Sequence, residues 1–148
     1  MKIITKAIIR SAANEDRQSI ITLLKEEKLP VEDLPASLAN FLVASENDKI
    51  IGVIGLEKYR SLALLRSMAV SMDYRNNNVA SQLVEQLETF AKSSGIKWMY
   101  LLTETAEQYF ERQAYQKVSR ESAPKEIQAS SEFSNVCPES AIFMRKGL

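Results

Sequence analysis

The residues best suited to chemistry lie in the stretch LLRSMAVSMDYRNNNVASQ, residues 64–82. An apolar strand is predicted to end at Val70, and a polar loop with Arg75 and three asparagines leads to a helix that starts at Val79. Such a strand–loop–helix unit directs backbone N–H groups and the positive end of the helix dipole at one spot, an anion site suited to a pyrophosphate. Asparagine tolerates the left-handed backbone that glycine usually supplies there. On this chemistry alone, an ordinary polar turn capped by Asn78 is the favoured interpretation.

The composition excludes some kinds of catalytic site and argues against some classes of protein. The chain has 148 residues, 45% apolar and 26% charged, with 19 basic and 19 acidic residues. This predicts a single domain spanning residues 1–148, and the zero net charge argues against a nucleic-acid surface. The absence of histidine excludes Ser-His and Cys-His nucleophiles and argues against a metal site. The lone Cys137 and the lack of an apolar run of about 20 residues favour a cytoplasmic protein with no membrane segment.

The hydrophobic pattern predicts a mixed sheet with helices on its faces, in the order β-α-α-β-β-β-α-β-α-β-β. A first helix is expected from Glu15 to about Glu27 with Asn14 as its cap, and a second, shorter one over residues 32–40. The clearest helix, residues 79–93, should end at Gly95. A short helix is predicted at 106–112, and strands at 7–10, 41–45, 50–59, 62–70, 98–102, 115–118 and 141–145. The three consecutive strands between 41 and 70 should be antiparallel because only turns separate them.

The polar loop resembles the coenzyme A loop of the GNAT superfamily of N-acetyltransferases, in which Arg/Gln-x-x-Gly-x-Gly/Ala follows a strand. Three residues match that pattern: Arg75, Val79 and Ala80. Asn76 and Asn78 replace glycines. Residues 109–115 are similar to a second GNAT signature, Phe-Tyr-x-x-x-Gly-Phe, with Ala114 in place of glycine. The resemblance covers nearly the whole chain and implies an α/β (α+β) fold: a mixed, mostly antiparallel central sheet of six to seven strands with helices on both faces.

Further stretches of the sequence resemble particular groups within this superfamily. Residues 65–70, LRSMAV, are similar to the LRSLAV strand of amino-acid N-acetyltransferases such as N-acetylglutamate synthase. Residues 101–107, 123–124 and 133–141 resemble the acetyltransferases found in arsenic-resistance operons, the ArsN group.

The resemblance implies acetyl-CoA as cosubstrate, with no metal. The pyrophosphate would be held, largely through backbone N–H groups, by Arg75, Asn76, Asn77, Asn78, Val79, Ala80 and Ser81. The strand edge at Met68, Ala69 and Val70 would pair with the pantetheine arm, where a bulge splays the fourth and fifth strands. The Val70 N–H would then face the thioester oxygen and take part in catalysis. Phe110 is counted among the cofactor-binding residues; it stands where many members carry an acidic tyrosine, so the usual general acid is absent.

The resemblance also requires a base for the acceptor amine, and the sequence offers only carboxylates. Glu57 lies near the end of a strand and Glu104 at the end of another, and either could act directly or through a water molecule. The alternative for Glu57 is an ion pair with a surface lysine. The alternative for Glu104 is that it caps the helix after Thr103. Both alternatives stay open.

Arg66 is a lone charge in an otherwise apolar strand, so it needs a partner. The likeness to LRSLAV suggests that it binds the substrate by anchoring a carboxylate or oxyanion of the acceptor. The alternative is a structural ion pair with an acid such as Glu57 on the neighbouring strand. The sequence leaves the two interpretations evenly balanced.

The function implied by the resemblance is an acyltransferase that moves an acetyl group from acetyl-CoA to a small, amino-acid-like amine by direct attack in a ternary complex. The alternative is a catalytically weak or inactive GNAT-fold protein that binds acyl-CoA or a protein partner, since the loop lacks glycine and position 110 lacks tyrosine. The expected partner is a small-molecule amine, with neither nucleic acid nor membrane, and a homodimer stays open.

Overall fold

The computed structural model describes residues 7–75, 78–130, 133–134 and 140–148. The strands are β1 (Ile8–Ser11), β2 (Phe41–Glu46), β3 (Lys49–Tyr59), β4 (Leu62–Val70), β5 (Trp98–Thr103), β6 (Gln116–Lys117) and β7 (Ile142–Gly147). The α-helices are α1 (Arg17–Glu26), α2 (Val79–Ser93), α3 (Glu107–Arg112) and α4 (Lys125–Gln128). Within the described residues, seven strands form one sheet in the order β1-β2-β3-β4-β5-β7-β6.

The sheet is mixed and mostly antiparallel, as predicted. Strand β2 pairs antiparallel with β1 and β3, and β7 pairs antiparallel with β5 and β6. The parallel pairing joins β4 to β5, from Leu62 opposite Trp98 to Leu64 opposite Tyr100. By backbone contacts the chain divides into two compact units, Met1–Leu56 with Ser67–Phe90, and Glu57–Arg66 with Ala91–Leu148.

In the first unit, helices pack on both faces of the strands. Helix α1 buries Ile20, Leu23 and Leu24 in a cluster with Phe41, Val43, Val53 and Ala69. Val53 of β3 faces α1, so its neighbour Gly52 faces the opposite side of the sheet, because strand side chains alternate. There a Cβ on Gly52 would lie only 3.0 Å from Leu83 of α2, so the glycine allows the helix to approach closely.

The second unit has an aromatic core. One cluster of buried residues in this unit consists of Leu64, Tyr100, Ala123, Ile127 and Phe143. Tyr100 stacks on Phe143 with ring centroids 5.4 Å apart, and Phe133 meets Phe143 edge-on at the same distance. The Arg120 guanidinium donates to the carbonyls of Ala141 (3.1 Å) and Phe133 (3.3 Å) and so joins the two ends of the segment between β6 and β7.

Two helix predictions are wrong. Residues 32–40 form short turns and irregular backbone instead of a helix. Pro35 has no N–H to donate and disfavours helical backbone at the residue before it, while the Arg17 guanidinium binds the Pro35 carbonyl at 2.8 Å. Asn14 is not a cap, because it lies inside a 3-10 turn, Asn14–Asp16, that precedes α1.

The start of that turn is fixed by Asp16. Its carboxylate accepts from the Ala13 N–H at 2.7 Å and from both terminal nitrogens of Arg10, at 2.7 and 3.0 Å. These hydrogen bonds, above all the one with Arg10, lower the pKa of Asp16 below its ordinary value. The end of α2 follows the prediction: Gly95 has φ +86°, and the Ile96 N–H donates to Ala91 at 3.0 Å.

Candidate functional site

The polar loop has the strand–loop–helix form predicted from the sequence. Strand β4 ends at Val70, a 3-10 turn spans Met72–Tyr74, and the 15-residue helix α2 begins at Val79. Asn78 has φ +63°, the left-handed conformation expected of a residue that replaces glycine. Asn76 and Asn77 lie outside the described residues.

The start of α2 is oriented as an anion site requires. The Gln82 N–H donates to the Asn78 carbonyl at 3.1 Å, so the ladder of helical hydrogen bonds begins at Asn78. Val79, Ala80 and Ser81 therefore form the first turn, whose N–H groups have no carbonyl to bind within the helix. Since the helix dipole is positive at this end, an anion is stabilised here.

Three contacts hold the loop before α2. The Ser71 N–H donates to the Ile51 carbonyl at 2.8 Å. The hydroxyl of the buried Tyr74 donates to Glu46 Oε1 at 3.0 Å. The Arg75 guanidinium forms an ion pair with the Glu27 carboxylate. The loop is thus attached to β3, to the end of β2 and to the end of α1.

Strand β4 contains an irregularity in the middle of its length. Ser67 has φ +56°, a left-handed residue of the kind that occurs in β-bulges. The three residues assigned to the pantetheine arm, Met68, Ala69 and Val70, follow directly. Ala69 and Val70 are buried, and Met68 is half-buried. The position of Ser67 fits the bulge that the family resemblance implies in this strand.

Glu57 and Arg66 are brought together. Arg66 Nη1 donates to Glu57 Oε2 at 2.5 Å, and the Tyr59 hydroxyl donates to the other carboxylate oxygen. The side chain of Arg66 is 1% exposed and that of Glu57 is 23% exposed. The structure therefore contains the ion pair that the sequence offered as an alternative, with a tyrosine added to it.

The remaining two predicted site residues lie on and beside α3. Glu104 is exposed, and it is the Thr103 hydroxyl that accepts from the Ala106 N–H, at 2.9 Å, at the start of this helix. Phe110 is buried between Tyr109 and Tyr115, with ring centroids 5.2 and 5.4 Å away and both rings edge-on. Ala114, in place of the motif glycine, has φ +74°.

A groove of about 590 Å³ runs along the exposed side of α1. It is lined in part by Glu26, Asp48, Lys49, Ser71 and Asp73. Three of these side chains are acidic and one is basic, so the groove repels a pyrophosphate and is not a candidate for the anion site.

Over the residues that the structure describes, no group of three candidate metal-ligating side chains occurs. Over the same ranges, no helix has the length and apolar character needed to cross a membrane.

Sequence reasoning missed four residues whose side chains form the contacts described above. Tyr59 could have been found, because residues two apart on a strand share a face and Glu57 is two positions earlier. Glu27 and Glu46 carry no such signal. They lie 48 and 28 positions from the loop residues that they hold, and only the fold brings them there. The same is true of Arg120, whose two carbonyl acceptors lie 21 and 13 positions away.

Comparison with known proteins agrees with this geometry. Residues 9–118 match the acetyltransferase (GNAT) family. The chain is 30% identical over 101 residues to an uncharacterized N-acetyltransferase of Chlorobaculum tepidum, which covers 68% of this chain and 64% of the relative. It is 27% identical over 127 residues to the amino-acid acetyltransferase of Mannheimia succiniciproducens, with 80% of this chain and 29% of that protein covered. The chain thus spans less than two thirds of the length of these relatives.

Solved structures show the same fold. N-acetylglutamate synthase from Neisseria gonorrhoeae, complexed with coenzyme A and N-acetyl-glutamate, has a TM-score of 0.84 at 16% identity, over 98% of this chain and 36% of that one. Rv2747 from Mycobacterium tuberculosis, in complex with CoA, has a TM-score of 0.81 at 18% identity, over 95% of this chain and 99% of that one. Together with the family match over residues 9–118, this establishes that the chain belongs to the acetyltransferase (GNAT) family.

Proposed function

We propose that this protein transfers an acetyl group from acetyl-CoA to the amine of a small, amino-acid-like acceptor, by direct attack within a ternary complex. The observation that carries the proposal is the left-handed Asn78 at the start of α2, which follows, after one loop, a strand β4 that contains its own left-handed residue, Ser67. The first supplies the phosphate site of the cosubstrate. The second supplies an irregular strand for its pantetheine arm.

The residues present fit acetyl-CoA. The first-turn N–H groups of Val79, Ala80 and Ser81 would hold the pyrophosphate, together with the backbone of Arg75 and of the asparagines that precede the helix. Met68, Ala69 and Val70 would pair with the arm through their backbone, and the Val70 N–H would stabilise the negative charge that develops on the thioester oxygen. The cosubstrate supplies the activated acetyl group and a thiolate leaving group. On this proposal, Phe110 contributes an apolar side chain to the acetyl-CoA site.

Glu57 is the stronger candidate for the base. Its carboxylate is partly exposed and fixed by two donors, whereas Glu104 is exposed at a strand end. Amine attack forms the C–N bond and breaks the C–S bond, and the amine proton passes to a carboxylate or to water. The ammonium group of a zwitterionic acceptor complements the partly exposed Glu57. Its carboxylate would reach Arg66 only by displacing Glu57, because the Arg66 side chain is 1% exposed. The relatives named amino-acid acetyltransferase support this class of acceptor.

Calorimetric titration with acetyl-CoA, followed by thiol release with a panel of amines, tests the proposal. Ala80→Asp places a negative charge at the first turn of α2 and should abolish acetyl-CoA binding. Gln86→Asp adds the same charge at an exposed position of the same helix and should leave binding unchanged. Unchanged affinity in Ala80→Asp would refute the placement of the pyrophosphate. Tight binding with no thiol release from any amine would favour the non-catalytic alternative.

The acceptor class is tested separately. We expect thiol release with amino acids and much less with matched amines that lack the carboxylate. Arg66→Leu should lower kcat/KM for the true acceptor about tenfold to a hundredfold, the effect of about 1.5–3 kcal/mol from a lost hydrogen bond to a charged group. The affinity for acetyl-CoA should stay near wild type. A folded Arg66→Leu variant that acetylates equally well would show that the acceptor is held elsewhere.

A further inference from the structure

Two consecutive residues of the acetyl-CoA loop are held by glutamates from distant parts of the chain. Tyr74 donates to Glu46 at the end of β2, and Arg75 is paired with Glu27, the residue directly after α1. The side chain of Glu27 is only 16% exposed, whereas that of Arg75 is 50% exposed. Glu27 is therefore the more buried partner, and the more exposed Arg75 side chain extends to it.

This pairing bears on what Arg75 does for the cosubstrate. A guanidinium neutralised by a carboxylate offers little net charge to a pyrophosphate. The Arg75 N–H donates to the Met72 carbonyl at 3.4 Å, a contact of the backbone that does not involve the guanidinium. A loop that is already ordered loses less conformational freedom when a ligand binds, so each anchor favours binding without touching the ligand.

We propose that Glu27 is a positioning residue for acetyl-CoA and that the Arg75 side chain is a tether rather than a phosphate ligand. The Glu27–Arg75 pair attaches residues 71–75 of the loop to the end of α1. The phosphates are then bound by backbone N–H groups. This inference rests on the proposed function, because it assumes that the loop binds acetyl-CoA.

The two roles of Arg75 predict opposite effects of Glu27→Gln. If the pair is a tether, breaking it weakens acetyl-CoA binding, by about two- to fivefold for an ion pair with one exposed partner. If Arg75 is a phosphate ligand, removing the competing carboxylate releases it and tightens binding. Glu26→Gln is the matched control, because it removes the same charge from the exposed neighbouring residue and should leave binding unchanged.

Charge reversal gives the decisive comparison. E27R and R75E should each weaken acetyl-CoA binding, and the double variant E27R/R75E should recover most of the affinity because the ion pair is restored in the opposite sense. A phosphate-binding Arg75 cannot be replaced by glutamate, so no recovery in the double variant would overturn the inference. Tighter or unchanged binding in Glu27→Gln would overturn it as well.

Amide hydrogen exchange over residues 71–75 provides a readout that needs no ligand. We expect faster exchange in Glu27→Gln than in the wild type and in Glu26→Gln, and equal rates would contradict the tether. If the wild-type protein does not bind acetyl-CoA, the proposed function fails whatever these rates are. If it binds but E27R/R75E does not recover, only the tether fails.

Discussion

Arg66 and Glu57 form an ion pair at 2.5 Å whose two partners are unequally buried: the arginine side chain is 1% exposed and the glutamate side chain is 23% exposed. Tyr59 donates a second hydrogen bond to the same carboxylate. A guanidinium so far from water depends on its partner for stability, whereas a partly exposed carboxylate can turn to solvent. The two residues should therefore respond differently to mutation.

Glu57→Leu should destabilise the protein more than Arg66→Leu. Removing Glu57 leaves a buried positive charge without this partner, which costs about 3–5 kcal/mol. Removing Arg66 leaves a carboxylate that water and Tyr59 can still solvate, so the cost should be smaller. The double variant should be less destabilised than Glu57→Leu alone. Urea denaturation of the three variants measures these free energies of unfolding, and equal losses in the two single variants would contradict the assignment.

Acid should remove the stabilising contribution of Asp16. Its pKa is lowered in the folded state below its ordinary value of 3.8, chiefly by the hydrogen bond with Arg10. A lowered pKa in the folded state means that stability is present above the unfolded pKa and is lost as the pH falls through the folded pKa. The difference in unfolding free energy between wild type and Asp16→Asn should be constant above about pH 5 and shrink below about pH 4. A difference that does not change with pH would show that ionisation of Asp16 contributes nothing.

The fold and the loop could be predicted because their signals are local. Strand β4 and helix α2 have the predicted bounds. A continuous apolar run predicts the strand, and an apolar residue at every fourth position predicts the helix. The left-handed Asn78 follows from the resemblance to a glycine motif. The helix predicted at 32–40 does not form for a local reason, because Pro35 interrupts it.

Side-chain partners that lie far apart in the sequence could not be predicted. The sequence offers Arg66 two partners, an acid on the neighbouring strand and a substrate, and which of them satisfies the charge depends on burial, which only the folded chain determines. Glu27 has no pattern that links it to Arg75, because an ion pair needs only proximity and opposite charge. The left-handed backbone at Ser67 has no signal in the sequence itself, since serine has no strong preference for this conformation; only the bulge that the family resemblance implies in this strand points to it.

Ala114→Gly should stabilise the protein. Ala114 is exposed with φ +74°, a conformation that costs an alanine roughly 1–2 kcal/mol and glycine almost nothing. Because glycine also loses more freedom on folding, we expect a net gain of about 0.5–1 kcal/mol. Ala129→Gly is the matched control: it is an exposed alanine at a helix end with φ −80°, so glycine should bring no gain. Thermal unfolding of both variants checks the prediction. Equal changes in stability in the two variants would show that the backbone at Ala114 is not strained.

Asn78→Gly should tighten acetyl-CoA binding or leave it unchanged. Asn78 holds φ +63° at the start of α2, where a glycine would adopt the same backbone at lower cost and allow the phosphate to approach more closely. Asn78→Ala keeps a Cβ but loses both the amide and the tolerance for left-handed backbone, so it should weaken binding and lower stability. Calorimetric titration of the wild type and both variants with acetyl-CoA, with thermal unfolding alongside, measures the two effects. Much weaker binding in a stable Asn78→Gly variant would show that the asparagine side chain itself contacts the ligand. The helix start would then bind phosphate through a side chain as well as through its backbone.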